Sequence, residues 1–201
     1  MKNVNLNAYE GVESLSRFSD EDFKRYCTDK LASVEKHIHF IKKHVIHSGY
    51  QGRVLEIGSG NGKLLFRLEQ EGLLEKGFGY EVSQSRCLFA EKFKNHVNSK
   101  KVEIVNENFL QAGIMQGGVD LVIGIDIVIN LIGGVGTNLI DNCIHQAKEN
   151  INQGTIIFEF ETFESECVAL RNSENGILKT WKQFPDSDPF IYGLDELSEN
   201  S

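Results

Sequence analysis

Val54-Leu55-Glu56-Ile57-Gly58-Ser59-Gly60-Asn61-Gly62 is an apolar run that breaks into three alternating glycines. The residues after it predict a helix from about Asn61 to Glu71, with Leu64, Leu65 and Leu68 at helical spacing. A chain that turns this tightly against a ligand needs residues without a Cβ, because its backbone must come within contact distance. The amides of the turn and of the first helical turn then face whatever polar group sits there. Many loops carry three glycines for turn geometry alone, but the strand before and the helix after predict a nucleotide-like cofactor. The spacing decides which one.

A dinucleotide fingerprint, G-x-G-x-x-G, places its last small residue three positions after the second glycine. Lys63 stands there, so that pattern fails. Glu56 also puts a carboxylate inside the strand, where dinucleotide folds keep an apolar residue. E-x-G-x-G-x-G instead resembles motif I of the class I S-adenosylmethionine-dependent methyltransferases. The resemblance covers about Arg53 to Glu161 and is specific for the cofactor, S-adenosyl-L-methionine, but not for the acceptor. It implies cofactor contacts from Glu56, Gly58, Ser59, Gly60 and Gly62.

About twenty residues beyond the glycines, Gly77-Phe78-Gly79-Tyr80-Glu81-Val82 reads as a second strand ending in a carboxylate. One carboxylate can accept hydrogen bonds from both hydroxyls of a ribose. The resemblance gives that role to Glu81, with Val82 beside it; a solvated strand end is the plainer alternative. Val102 to Asn106 reads as a third strand leading to Glu107, Asn108 and Phe109. Family members commonly carry an aspartate there for the adenine amino group. Asn108 is the aligned residue and can accept without charge, although Glu107 competes for the role. Phe109 either flanks the adenine or belongs to the core. The fourth strand, Val119 to Ile125, is apolar enough for burial on both faces. It runs into Asp126-Ile127-Val128-Ile129-Asn130, which matches the family's motif IV. Many small-molecule methyltransferases have a histidine near its end, and here the residue is Asn130, which takes no proton at neutral pH. Asp126 and Asn130 are the catalytic candidates; Asp126 faces cofactor or acceptor, or caps the turn that follows.

Helices at about Gln84–Val97 and Asn138–Ile151 and a fifth strand at Gly154–Phe160 complete an alternating pattern. Such a pattern predicts βαβ units in a doubly wound α/β fold, with a mostly parallel sheet and helices on both faces. Gly58, Glu81, Asn108 and Asp126 all fall at the carboxyl ends of strands, where ligands of such sheets bind. We read residues 1–201 as a single domain. It comprises an N-terminal helical cap (1–50), a cofactor-binding core (51–162), and a hairpin with a C-terminal extension (163–201).

In the cap, Ser19 with Asp22 is similar to a capping box. Phe23, Tyr26, Leu31, Val34, Ile38, Ile41 and Val45 form one stripe of a helix from Asp20 to His47. His37, His39, His44 and His47 crowd its second half, but no carboxylate or cysteine completes a metal-ligand set, and no metal is expected. Tyr9 and Arg17 precede the helix, and methyltransferase N-termini often fold over their sites. At the other end, Thr162–Leu170 and Ile177–Phe184 read as extended runs joined by an Asn/Gly-containing turn, a hairpin inserted after strand five. Leu194-Asp195-Glu196-Leu197 looks like the start of a helix. The family's terminal strand pair is either supplied by Ile177–Phe184 with Phe190–Leu194 or incomplete, and the second reading is favoured.

A formal charge of −8 repels phosphate backbones, and no basic cluster with interleaved aromatics offsets it. Neither a Pro-Cys nucleophile nor an N/D-P-P-Y motif is present. Without an eighteen-residue apolar run or a signal-like N-terminus, a membrane role is not expected. Cys27, Cys87, Cys143 and Cys167 lack paired spacing, which suits free thiols in the cytoplasm. The expectation is a methyltransferase acting on an O or N atom of a small-molecule acceptor, with a homodimer as the partner state and no nucleic acid. Its alternatives are methylation of a basic protein, a non-catalytic cofactor-binding or partner subunit, and a nucleotide-dependent oxidoreductase.

Overall fold

The computed structural model describes residues 11, 13–46, 48–112 and 118–125, together with the backbone of strands at 151–160, 166–172, 178–183 and 192–197. The chain divides into two compact units, Asn5–Gln111 and Ala112–Ser201.

The first unit begins with a 3-10 turn, Leu15–Arg17, and helix α1, Asp20–Ser33. Ser19 caps α1, its Oγ accepting from the Asp22 amide at 3.1 Å. Asp20, Glu21 and Asp22 fill the first turn, where the helix dipole favours negative charge. Asp22 returns its carboxylate to the Ser19 hydroxyl at 2.6 Å rather than to a backbone amide, so only half of a capping box forms. The single helix expected from Asp20 to His47 is broken. Val34, at φ −97° and ψ 5°, separates α1 from α2 (Glu35–Phe40), and a π-helical turn follows at Ile41–Val45. Just before the break the Ser33 hydroxyl donates to the Lys30 carbonyl at 2.7 Å, a competition for helix acceptors that bends helices. The buried stripe nevertheless keeps its phase through Phe23, Cys27, Val34, Ile38 and Ile41. Tyr26 and Leu31 are only half-buried. Burial pushes the Cys27 thiol up to about 12, an inert core residue at neutral pH.

β1 (Gly52–Ile57), β2 (Leu74–Glu81) and β3 (Val102–Asn106) form a parallel sheet with β2 in the middle. β2 starts three residues earlier than its sequence pattern suggests. α3 (Lys63–Gln70) joins β1 to β2, and α4 (Gln84–His96) joins β2 to β3. Both crossovers step in the same direction across the sheet, so right-handed connections put both helices on one face. Phe66 of α3 meets Phe93 of α4 there at 5.1 Å between ring centroids. Phe89 joins them and receives Phe18, Phe23 and Tyr26 from the N-terminal segment at 5.1–5.5 Å. This is why Phe89 joins Ala90 and Phe93 on the buried side of α4, while Cys87 and Val97 are half-buried. Each fully buried phenylalanine stabilises by about 1.5–3 kcal/mol.

The second unit begins with β4, Val119–Ile125, in which Val119, Leu121, Val122 and Ile123 are buried. It pairs in parallel with β5, Ile151–Phe160. β6 (Glu166–Asn172), β7 (Leu178–Gln183) and β8 (Tyr192–Leu197) then follow as an antiparallel meander. Ile151 belongs to β5, and the rest of the helix expected to end there lies outside the described residues. Leu194–Leu197 also differs from expectation, continuing β8 instead of opening a helix. So short a helix cannot offset its nucleation cost, whereas pairing Leu194 with Trp181 and Leu197 with Leu178 engages β7 directly. β7 and β8 pair antiparallel along their whole length.

Candidate functional site

β1 ends at Ile57 and the chain turns through Gly58, Gly60 and Gly62 at φ 67°, 55° and 77°. All three lie in the left-handed region that side chains disfavour. Gly62 donates to the Ser59 carbonyl at 2.9 Å, and its own carbonyl accepts from Phe66 at 3.0 Å, opening α3 without a side-chain cap. The turn is held down on β2 by the Ser59 amide, which donates to the Tyr80 carbonyl at 3.0 Å. Gly79 makes this approach workable: a Cβ there would lie 2.5 Å from both Ser59 Oγ and Ile104 Cδ1. Sequence reasoning missed Gly79 as part of the site, although a glycine inside a strand is a signal of close approach.

Two carboxylates flank this turn in different states. Glu81, 4% exposed at the end of β2, accepts from the Gly60 amide through Oε2 and from the Ser83 amide through Oε1, both at 2.8 Å. Each oxygen keeps a second acceptor position, enough for two further donors. Glu56, 5% exposed, leaves Oε2 buried without a partner, and Ser59 Oγ is buried and unpartnered nearby in the chain. Burial raises the Glu56 carboxyl to about 8; Lys63 opposes that shift and Glu81 adds to it. Orphaned buried polar atoms cost free energy, and a polar or cationic group placed here would relieve that cost.

Val82 is half-buried, its carbonyl and that of Glu81 each accepting from Asn106 Nδ2 at 3.0 Å. Asn106 therefore splints the end of β2, a role its sequence position does not announce. Asn108 Oδ1 accepts from the Leu110 amide at 3.0 Å and so caps the 3-10 turn Phe109–Gln111. Phe109 is buried, its ring 5.6 Å from that of Tyr80. Glu107 is exposed.

The least anticipated member is Glu13. This residue, 5% exposed, accepts from Asn61 Nδ2 at 2.7 Å and from the Tyr26 hydroxyl at 2.6 Å. Arg86 Nε lies 3.8 Å from its other oxygen. Arg17 is exposed, and Tyr9, Asp126 and Asn130 lie outside the described residues. His39 is exposed and His37 half-buried, and among the described residues no three metal-ligating side chains stand together. No helix among them is long and apolar enough to cross a membrane.

No protein-family model matches the sequence, and no curated protein does either. Solved structures match by fold. A protein of Methanococcus maripaludis assigned to the S-adenosylmethionine-dependent methyltransferases superposes with a TM-score of 0.53 at 16% identity, covering 69% of this chain and 60% of its own. Methyltransferases of Thiobacillus denitrificans and Geobacter sulfurreducens, each solved with S-adenosylhomocysteine, give TM-scores of 0.49 at 16% and 14% identity. Both matches cover 77% of this chain and 53% of the other, so the chain spans about half the length of these structures. The fold is the open, mostly parallel α/β fold of class I S-adenosylmethionine-dependent methyltransferases.

Proposed function

We propose that the chain binds S-adenosyl-L-methionine over the turn between β1 and α3 and transfers its methyl group to an O or N atom of a small molecule. One observation carries the reading: beside an alternating-glycine turn, the buried Glu56 Oε2 and Ser59 Oγ have no partner of their own. The ammonium group of this cofactor suits a buried carboxyl, and its ribose suits the two remaining acceptor positions on Glu81. Asn108, whose Oδ1 keeps a second acceptor position beside its bond from the Leu110 amide, and Phe109 then stand for the adenine. These residues fit the group chemically. The bound cofactor supplies a methyl on a sulfonium leaving group. The chain's part is to orient it, and alignment of that kind lowers a barrier by roughly 7–11 kcal/mol.

The small-molecule acceptor is supported by the charge of −8, which disfavours nucleic acid and leaves neutral or cationic molecules. Asp126 is the candidate to face the acceptor and Asn130 to hold it; neither is a strong base, which suits an amine presented neutral. We place the enzyme in the cytoplasm, as a homodimer. Methylation of a basic protein shares the same site and differs only in acceptor. A non-catalytic partner subunit would bind the cofactor and turn nothing over.

Isothermal titration with S-adenosylhomocysteine tests the cofactor reading, and heat saturating below about a millimolar is expected. No heat at that concentration would sink it. Glu81→Ala binding as tightly as the parent would refute the ribose assignment.

A further inference from the structure

Glu13 stands 48 residues before the asparagine it holds, and nothing in its own neighbourhood of sequence marks it. Two donors converge on one of its oxygens, Tyr26 from α1 and Asn61 from within the glycine turn. Burial first, then the hydrogen bond to Glu13, raises the Tyr26 phenol far above neutral pH, so it donates throughout the physiological range. Asn61 is itself pinned at both ends of its side chain, because its Oδ1 accepts from the Lys63 amide at 3.2 Å. Two residues earlier, the Gly11 amide donates to Ser85 Oγ at 2.9 Å, and Ser85 Oγ lies 3.0 Å from Ser83 Oγ. The Ser83 amide in turn donates to Glu81. One short segment therefore grips both the turn after β1 and the turn after β2. Phe18 anchors its far end against Tyr26 and Phe89 at 5.0 and 5.4 Å.

We propose that Glu13 is a positioning residue for the cofactor: through Asn61 it fixes the Gly58–Gly62 turn in its ligand-ready shape. The inference rests on the cofactor reading above and adds to it a residue that touches no cofactor. A chain at positive φ on three nearby residues has many accessible shapes once released, and a buried charged acceptor selects one of them. Cofactor affinity then depends on Glu13 through the population of that shape.

The test is titration of the full-length chain with S-adenosylhomocysteine, with thermal unfolding of each variant alongside. Glu13→Ala is expected to weaken binding about tenfold, and Glu13→Gln, which keeps an acceptor oxygen, by no more than about threefold. In an Asn61→Ala background, Glu13→Ala is expected to add less than about twofold, because the route through Asn61 is already cut. Val34→Ala, a buried change away from the turn, is expected to lower the melting temperature and leave affinity unchanged. If Glu13→Ala does not fold, Asn61→Asp sets a carboxylate against Glu13 and is expected to weaken binding as much. Unchanged affinity in Glu13→Ala or Asn61→Asp overturns the proposal. So do losses that multiply in the double variant, or an equal loss in Val34→Ala. A parent chain that takes up no S-adenosylhomocysteine overturns the cofactor reading and this inference with it. A parent that binds while Glu13→Ala binds equally overturns this inference alone.

Discussion

Two neighbouring strand-to-helix turns, Gly58–Gly62 after β1 and Val82–Ser83 after β2, solve the same local problem in opposite ways. The second is satisfied at its backbone: Ser83 caps α4 through its hydroxyl, and the carboxylate beside it, Glu81, accepts from the Ser83 amide and from Gly60 of the first turn. The first has no side-chain cap, holds three glycines at positive φ, and keeps a buried carboxyl with an unpartnered oxygen. A turn that satisfied itself would leave nothing for a ligand to satisfy. The contrast divides the proposed work: the β1 turn keeps a buried carboxyl oxygen unsatisfied, and the β2 turn is satisfied along its backbone with only the second acceptor positions of Glu81 remaining.

The largest expected effect tests the unpartnered side of the contrast. Glu56 holds its proton far more tightly in the folded chain, at about 8 against an ordinary 4.5. Its contribution is fully present below pH 4.5 and is lost as the pH rises to about 8, since folding must then retain a proton that the unfolded chain releases. Denaturant titrations of the ligand-free protein should show stability falling over that window, by a few kcal/mol in all. Glu56→Gln should remove this slope. A cationic group bound over Glu56 should draw the proton off, so that cofactor uptake releases protons near pH 7. That release is measurable as a heat that depends on the buffer's ionisation enthalpy. A slope that persists in Glu56→Gln would place the titrating group elsewhere.

Next comes Gly62→Ala. A side chain there meets Phe66 at 2.8 Å while the backbone sits at φ 77°, and the two penalties together cost about 2–4 kcal/mol. Urea midpoints would register it, and α3 should be the first element to lose amide protection. A change under half a kcal/mol would mean that the turn relaxes without cost, erasing the contrast with the β2 turn.

The boundary between what the sequence showed and what it hid follows these same two turns. β1, its glycines, α3, β3 and α4 were legible because periodicity and turn chemistry are local properties. Glu56 and Glu81 were legible because a strand end followed by a helix start puts them there. Glu13 was not, because its reason for burial is an asparagine far along the chain. Gly79 and Asn106 were hidden likewise: each is explained only by the neighbouring strand or turn it touches. The break at Val34 escaped because the hydrophobic stripe keeps its phase across it. At the far end, Leu194–Leu197 carried a pattern too short to separate helix from strand, and pairing with β7 settled it.

Glu81→Gln probes the β2 turn, with an expected cost of about 1–3 kcal/mol. Glutamine keeps one oxygen acceptor, so either the Gly60 or the Ser83 amide loses its partner, and a donor now faces it. Under the proposed ribose role, affinity for S-adenosylhomocysteine should fall along with stability, because one group would serve both the turn and the ligand. If only stability falls, Glu81 supports the turn without touching the ligand, and the acceptor for the ribose lies elsewhere.

The smallest effect separates the two turns most cleanly. Ser83 is wholly buried, and Ser83→Ala removes the hydroxyl that accepts from the Arg86 amide at 3.4 Å and lies 3.0 Å from Ser85 Oγ. Loss of such a cap costs about 1 kcal/mol, and the long distance puts this one at the weak end. The Glu81 bond to Ser83 comes from the backbone amide and survives the change. Stability should therefore drop slightly while affinity for S-adenosylhomocysteine stays within about twofold of the parent, a difference near the resolution of the titration. A loss of affinity larger than the loss of stability would show the Ser83 hydroxyl reaching the ligand through Ser85 and the N-terminal segment. The β2 turn would then belong to the ligand face as much as the glycines do.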